Sequence, residues 1–349
     1  DNTFGAASGA PSSGHITASN LVALATTSAG ITVDGALTAR GAITLNGVTA
    51  GSGLAGINYS AAINATAGNV TLNGSATNGL GVYNLATGTI TANNITINGT
   101  TSLAPNWATY IGTLTINTAA VGGSIAITGN VLNTPGAAGG IYQSGTITAR
   151  SGSNISFTSN NDINQIGTIA MAANTSASAA NVTYDTTTGN KTSSIVGGAL
   201  TIGTSSSSSA INYTMLSAGS AINPGAIGTS SVALPGTVTL DNTYGSASGT
   251  KASGYITASA TNRLVDLATT SVGATINSAI FASGNITVSG ASNSSYGIDT
   301  SANITSRSGN VTLNGATVAT IGVYVVASNV VTANNITING TSTSAPSWV

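Results

Sequence analysis

The opening of the sequence returns near its end. DNTFGAASGAPSSGHITAS, from Asp1 to Ser19, returns as DNTYGSASGTKASGYITAS from Asp241 to Ser259. GNVTLNG at Gly68 returns at Gly309, and TANNITINGT at Thr91 returns unchanged at Thr332. Apart from small insertions and deletions, residues 1–107 and 241–348 are two copies offset by about 241 residues. Residues 1–240 are thus one full long repeat and 241–349 the first part of the next, as expected of a piece cut from a tandem array. Repetition restricts the fold severely. A repeated unit that cannot bury its apolar side alone must bury it against its neighbours. One continuous stacked structure over residues 1–349 is expected, without separate globular domains.

A finer rhythm says what is stacked. Cores of the form apolar–Thr–apolar recur along the chain: Ile31-Thr32-Val33, Ile43-Thr44-Leu45, Val70-Thr71-Leu72, Ile95-Thr96-Ile97, Leu114-Thr115-Ile116 and Val238-Thr239-Leu240. Two side chains point in and a small one points out, the period of a half-buried strand. Gly, Asn and Ser flank the cores and supply turns. Helix formers are scarce, and Glu is absent altogether. A sandwich strand alternates over five or more residues, whereas these cores stop after three. The fold class predicted is therefore all-β, a parallel β-helix (β-solenoid). Rungs of about 20–25 residues would give about 14–17 rungs, an elongated rod of about 70–80 Å at about 4.8 Å per stacked strand. Stacking should set Thr over Thr and Asn over Asn.

Composition removes other classes. Charged residues are 4% of the chain, against about 25% in an ordinary domain. Six Lys and Arg cannot build the basic face that nucleic acid requires, so no nucleic-acid partner is expected. Without Cys there is no disulfide framework and no thiolate metal site. No apolar run approaches the roughly 18 residues of a helical span, so no transmembrane segment is expected. A net charge of −1 and a mean hydropathy of +0.30 argue against disorder.

The strings GNVTLNG, GTITANNITINGT, GAITLNG and ITARSGSNISFTSN resemble the passenger regions of filamentous-haemagglutinin-like adhesins. These are large surface proteins that Gram-negative bacteria export by two-partner secretion or as autotransporters. The resemblance implies a right-handed β-helix, an extracellular or cell-surface location, and a role in adhesion, aggregation or biofilm. Partners would be neighbouring copies of the same fibre, surface polysaccharide or host and cell-surface glycans. A chain without Cys suits passage, unfolded, through an outer-membrane pore. The secretion-recognition domain of that family is not recognisable here, which again points to an internal segment.

Catalytic chemistry finds little support. The acids are Asp1, Asp34, Asp162, Asp185, Asp241, Asp266 and Asp299, no two of them close in sequence. Glycoside hydrolysis needs two carboxyls about 5–10 Å apart. Between the copies Asp34 faces Asn277, Asp299 faces Asn58, Arg40 faces Ser283, Arg307 faces Thr66 and His15 faces Tyr255. Charges come and go while apolar positions persist, so no enzyme is expected, and no catalytic residue, cofactor or metal. His15 reads as a solvated surface residue. Ser205–Ser209 reads as a flexible or turn segment, since no GxSxG elbow accompanies it.

Three polar or aromatic patterns remain. Many Asn residues open N-x-Ser/Thr triplets, and Asn94, Asn98, Asn335 and Asn339 are candidate glycosylation sites. Chance in an Asn- and Thr-rich chain, or hydrogen-bonded Asn ladders, are the plainer accounts of such triplets. Trp107 and Trp348 hold the same place in the two copies and are candidate sugar-stacking residues; packing over a local gap is the plainer account. Thr pairs around one apolar residue, as at Thr89-Ile90-Thr91, Thr113-Leu114-Thr115, Thr146-Ile147-Thr148 and Thr237-Val238-Thr239, resemble the arrays of ice-binding solenoids. Their unequal spacing argues against the strict register such arrays need. The expected function is structural and adhesive, a segment of a long repetitive bacterial surface fibre. The alternative is a discrete lectin-like carbohydrate-binding module, and more remotely a β-helical polysaccharide-degrading enzyme.

Overall fold

The structure, a computed structural model, describes residues 16–20, 30–84, 88–102, 107–116, 122–132, 139–188, 194–204, 206–217, 219, 221–243 and 272–342. The described residues form strands and turns and no helix. The chain falls into two compact units, Asp1–Ala170 and Met171–Val349.

In the first unit the chain winds so that each turn lays a strand beside its predecessor, always parallel. Ile16–Asn20, Ile43–Tyr59, Val70–Asn84, Asn94–Thr101, Ser124–Val131 and Asn154–Ser159 make the first face. Ile31–Val33, the later halves of the two long strands, Thr109–Ile111, Ile141–Gln143 and Ile163–Gln165 make the second. Leu37–Ala39, Ile63–Ala65, Thr89–Ala92, Thr113–Ile116 and Ile147–Ala149 make the third. The second unit repeats the plan, with Ala180–Thr186, Ile211–Ser217, Val238–Asp241, Ile286–Ser292, Val311–Thr317 and Ile336–Ser342 on its first face. The parallel β-solenoid expected from the cores is the fold.

The turns are longer than expected. Six first-face strands enclose five turns in each unit, about ten in all rather than 14–17. Hydrogen bonds between equivalent side chains of adjacent turns join residues 22 to 31 apart, most of them 25 or more. The reason is that each turn holds three strands, so the interval between neighbouring cores underestimates the length of a turn.

The inward positions stack by type. Ile43, Val70, Ile95, Ile125 and Ile155 are register partners, as are Leu45, Leu72, Ile97, Ile127 and Phe157, and all are buried. Each such side chain contributes about 1.5–3 kcal/mol of burial, set against the entropy of ordering it. The Gly that closes the TLNG and TING motifs has a steric cause. At Gly74 a Cβ would overlap the carbonyl oxygen of Gly81, and at Gly99 that of Ala108, because the chain turns the corner between first and second faces there.

Two further features come from the tertiary structure. Loops absorb unequal intervals without disturbing register: Thr89 pairs with Thr113, Thr91 with Thr115, and Thr115 with Thr148. Uneven spacing therefore does not break up these three pairs, contrary to expectation, while the fourth, Thr237-Val238-Thr239, joins no such array, since Val238–Asp241 is a first-face strand of the second unit. In addition, one slot is filled by different parts of the long repeat. Ile16–Asn20 pairs with the strand beginning at Ile43. Beside Ile286–Ser292, which is the copy of that strand, the partner is Val238–Asp241. Residues 256–260, the copy of Ile16–Asn20, lie outside the described residues.

Candidate functional site: an aromatic column beside amide ladders

The second face of the first unit carries one column of outward residues: Thr32, Asn58, Tyr83, Tyr110, Tyr142 and Asn164, each in register with the next. Their outward direction follows from the period of two. Tyr110 lies between buried Thr109 and Ile111, and Tyr142 between buried Ile141 and Gln143. Thr32 is exposed, and the other five column residues are half-buried.

The rings form a continuous cluster. Tyr110 and Tyr142 stack at 4.5 Å with planes 14° apart, and Tyr83 meets Tyr110 at 5.4 Å and 61°. Trp107, two residues before Thr109, meets Tyr142 at 5.4 Å with planes tilted by 54°. Such pairs contribute about 0.5–1.5 kcal/mol beyond area burial. Since Tyr110 and Tyr142 cover each other's facing ring surfaces, the column presents hydroxyls and ring rims flanked by the amides of Asn58 and Asn164. The Tyr110 hydroxyl has its pKa raised above the ordinary 10.0. Partial desolvation is the main cause, followed by Tyr142 and Tyr83 as neighbouring phenols and by its hydrogen bond with Tyr142. It is therefore a neutral hydrogen-bonding group at physiological pH. In the second unit Tyr296 and Tyr324 stack at 5.0 Å and 15°.

Asn ladders run along the first faces. Asn73 Nδ2 donates to Asn46 Oδ1 at 2.7 Å, and Asn98 Nδ2 donates to Asn73 Oδ1 at 2.8 Å. At the turn before the strand, Asn94 Nδ2 donates to Asn69 Oδ1 at 2.9 Å, while Asn94 Oδ1 accepts from the Ser124 N–H at 2.8 Å. Asn335 Nδ2 donates to Asn310 Oδ1 at 3.0 Å, and Asn339 Nδ2 to Asn314 Oδ1 at 2.8 Å. All four candidate glycosylation residues thus engage the amide nitrogen that a glycan would occupy. A buried series lies at the corner between second and third faces. Asn84 Nδ2 donates to Tyr59 O at 3.0 Å, and Gln165 Nε2 donates to Gln143 Oε1 at 2.9 Å. Buried amides need such partners, since an unpaired one costs about 1–3 kcal/mol.

The remaining sequence candidates are scattered or outside the described residues. His15, Ser205 and Trp348 lie outside them. Ser208 and Ser209 are tied down through backbone N–H bonds to Asn174 O at 2.8 and 3.1 Å. Asp34 accepts from Ser60 Oγ at 3.4 Å, and Asp241 is buried with Thr243 as donor. Among the described residues no three His, Cys, Asp or Glu gather as a metal site would require, and no helix is long and apolar enough to cross a membrane.

Comparison with models of protein families, with curated proteins and with solved structures finds no match. Sequence reasoning singles out Trp107 but not Tyr110, Tyr142 or the buried Gln pair. A usable signal is present all the same: Thr109-Tyr110-Ile111 and Ile141-Tyr142-Gln143 place Tyr where Thr stands in the other cores.

Proposed function

We propose that this chain is a structural and adhesive segment of a long repetitive fibre on a bacterial surface, serving adhesion, aggregation or biofilm matrix formation. The observation that supports it is the mode of cohesion. Turn is joined to turn by parallel backbone pairing, by apolar stacks and by amide ladders that recur in both sequence copies. Such a stack lengthens by repetition and needs no charge. A net charge of −1 leaves little long-range repulsion between neighbouring copies, so lateral contact with like chains or neutral polysaccharide meets no electrostatic barrier. The absence of Cys suits export through an outer-membrane pore. The reading assigns no catalytic step, cofactor or metal. Displaying the chain on a non-adherent bacterial strain tests it: displaying cells should settle together and attach to surfaces. Cells that carry the chain yet stay dispersed and unattached overturn the reading.

The aromatic column favours a second reading, a lectin-like surface. Apolar ring rims beside hydroxyl and amide groups match the mixed surface of a sugar. Screening the purified chain against a glycan array tests this, with binding expected to vanish on Trp107→Ala. Binding that survives this substitution and Tyr142→Ala removes the column from consideration.

A further inference from the structure

The third face of the first unit carries residues that neither the adhesive nor the lectin-like reading uses. Its inward positions are Leu37, Ile63, Ile90, Leu114 and Ile147. Its outward positions form two columns. One holds Ala36, Ala62, Thr89, Thr113 and Thr146; the other holds Thr38, Asn64, Thr91, Thr115 and Thr148. The Leu114 N–H donates to Thr146 O at 3.0 Å and the Ile147 N–H to Thr168 O at 2.9 Å, so the next turn continues the first column with another Thr. No outward side chain in either column is charged, aromatic or large. On three consecutive turns both columns are Thr, giving six Thr on one sheet.

We propose that this face binds ice. A Thr side chain presents a methyl and a hydroxyl, and its β-branch leaves few rotamers on a strand. The parallel sheet fixes the grid. Turns lie about 4.8 Å apart, and the two Thr of one strand lie about 6.7 Å apart, twice the rise per residue. A flat grid with spacings of this order can order water between its rows, the hydroxyls bonding to that water while the methyls enclose it. Rigidity comes from below, where Ile90, Leu114 and Ile147 are fully buried. A crystalline polysaccharide is the other flat and regular ligand for a sheet, but it is gripped by exposed aromatic faces, and this face has none.

The second unit offers a built-in contrast. On its third face Ile280–Ala282, Ile304–Ser306 and Val331–Thr332 form a sheet of their own. Outward positions there include Phe281 between Ile280 and Ala282, and exposed Val330. A bulky ring in the middle of the array spoils the flatness that lattice contact demands. Ice contact is therefore assigned to the first unit.

The test is thermal hysteresis and ice recrystallisation of the purified full chain, with partition of a fluorescently labelled chain into growing ice. The unaltered chain should lower the freezing point below the melting point and enter the ice. Thr115→Tyr, at the centre of the array, should abolish both effects, while Thr332→Tyr, exposed on the third face of the second unit and in a different sheet, should leave them unchanged. Far-UV circular dichroism and the melting temperature of both variants show whether the fold is retained. If Thr115→Tyr unfolds the chain, Thr115→Val, which keeps the shape and removes the hydroxyl, replaces it and should weaken hysteresis. An unaltered chain that shows no hysteresis and is excluded from ice overturns the proposal, as does equal loss from Thr115→Tyr and Thr332→Tyr. The proposal stands on the geometry of one face and not on the adhesive reading. Failure here leaves the cell-display result untouched, and the reverse also holds.

Discussion

The ten residues Thr-Ala-Asn-Asn-Ile-Thr-Ile-Asn-Gly-Thr occur at 91–100 and again at 332–341, and their surroundings are opposite. Both copies form the same strand, and both hang from the preceding turn by the same two Asn–Asn bonds. On the other side they differ. Asn94–Thr101 is paired along its whole length with Ser124–Val131, whereas Ile336–Ser342 pairs, among the described residues, only with Val311–Thr317. Ile95 and Ile97 are 0% exposed; Ile336 and Ile338 are 45% and 50% exposed. Within these 349 residues identical sequence thus gives the same local structure and unequal burial, and a further turn laid on Ile336–Ser342 would close Ile336 and Ile338 as Ser124–Val131 closes Ile95 and Ile97. Strand and ladder are properties of the decapeptide, and the apolar contribution belongs to the pair of turns, as expected of a stacked repeat.

The largest effect that separates the copies is the loss of an inward side chain. Ile97→Ala should cost about 2–5 kcal/mol, because it empties a closed site between two turns. Ile338→Ala should cost below about 1 kcal/mol, since half of that side chain already meets water. Native-state hydrogen exchange reads each locally, at the amides of Asn94–Thr101 and Ile336–Ser342. Equal costs would mean that the two surroundings are alike in solution, and the comparison would fail.

Glycine gives the next contrast. A Cβ at Gly99 would overlap the Ala108 carbonyl oxygen, while at Gly340 its nearest neighbour would be the Val323 nitrogen at 3.6 Å, an ordinary contact. Gly99→Ala should therefore destabilise by about 1–3 kcal/mol through overpacking. Gly340→Ala should stay within about 0.5 kcal/mol of the parent, the usual range for an unconstrained surface position. Chemical denaturation of the two variants side by side checks this. A destabilising Gly340→Ala would show a closed corner at 340 as well.

Acid sharpens the contrast from another direction. Asp241, in the unit that holds 332–341, has a pKa above the ordinary 3.8. Desolvation is the main cause, and hydrogen bonds from the Thr243 N–H and Oγ1, at 2.8 and 2.6 Å, draw it part of the way back. Asp299 is shifted in the same direction by partial burial. A carboxyl whose pKa is higher in the fold than in the unfolded chain favours folding while protonated. That stability is complete below pH 3.8 and declines as pH rises through the higher folded value. Exchange protection in the second unit should therefore fall over that window. Asp241→Asn should reduce the slope, and adding Asp299→Asn should reduce it further. Amides of 95–101 serve as the internal control. A slope of opposite sign would mean that Asp241 is stabilised as a carboxylate.

Much of this architecture is legible in the order of the residues. Apolar–Thr–apolar cores and repeated GNVTLNG strings imply parallel stacking, and N-x-Thr triplets allow for the Asn ladders. The length of a turn is not legible, because three strands share each turn and the loops between them differ in length. Register is hidden for the same reason: Thr91, Thr115 and Thr148 align only after the loops have absorbed their unequal intervals. The aromatic column is half legible. Tyr83 and Trp107 stand out through their copies, but Tyr110 and Tyr142 reach the same column by pairing across turns. Least visible is the slot that Ile16–Asn20 fills in one place and Val238–Asp241 fills in another. Both are short strands with Thr in second place, so the motif does not choose between them, and the choice depends on which neighbour the chain can reach.

The smallest expected difference lies in the ladders themselves. Asn98 and Asn339 make the same bond at the same length, 2.8 Å, to Asn73 and Asn314. Asn98 is half-buried and Asn339 exposed. Asn98→Ala should cost about 0.5–1.5 kcal/mol, because Asn73 Oδ1 loses its donor where water has limited access. At Asn339→Ala water replaces the lost donor, and the cost should be a few tenths of a kcal/mol. Hydrogen exchange at Asn73 and Asn314 resolves the two. The same pair bears on glycosylation. A sugar on Nδ2 leaves that nitrogen one N–H instead of two, so modification at Asn98 competes with the ladder inside the stack, whereas at Asn339 the competition is weaker. In this 349-residue chain produced in a glycosylating host, occupancy should be higher at Asn339 than at Asn98, and intact-mass and peptide mapping read that ratio directly. Occupancy favouring Asn98 would mean that the ladder forms only after modification, and the amide bonds would then no longer explain why Asn stands in these positions.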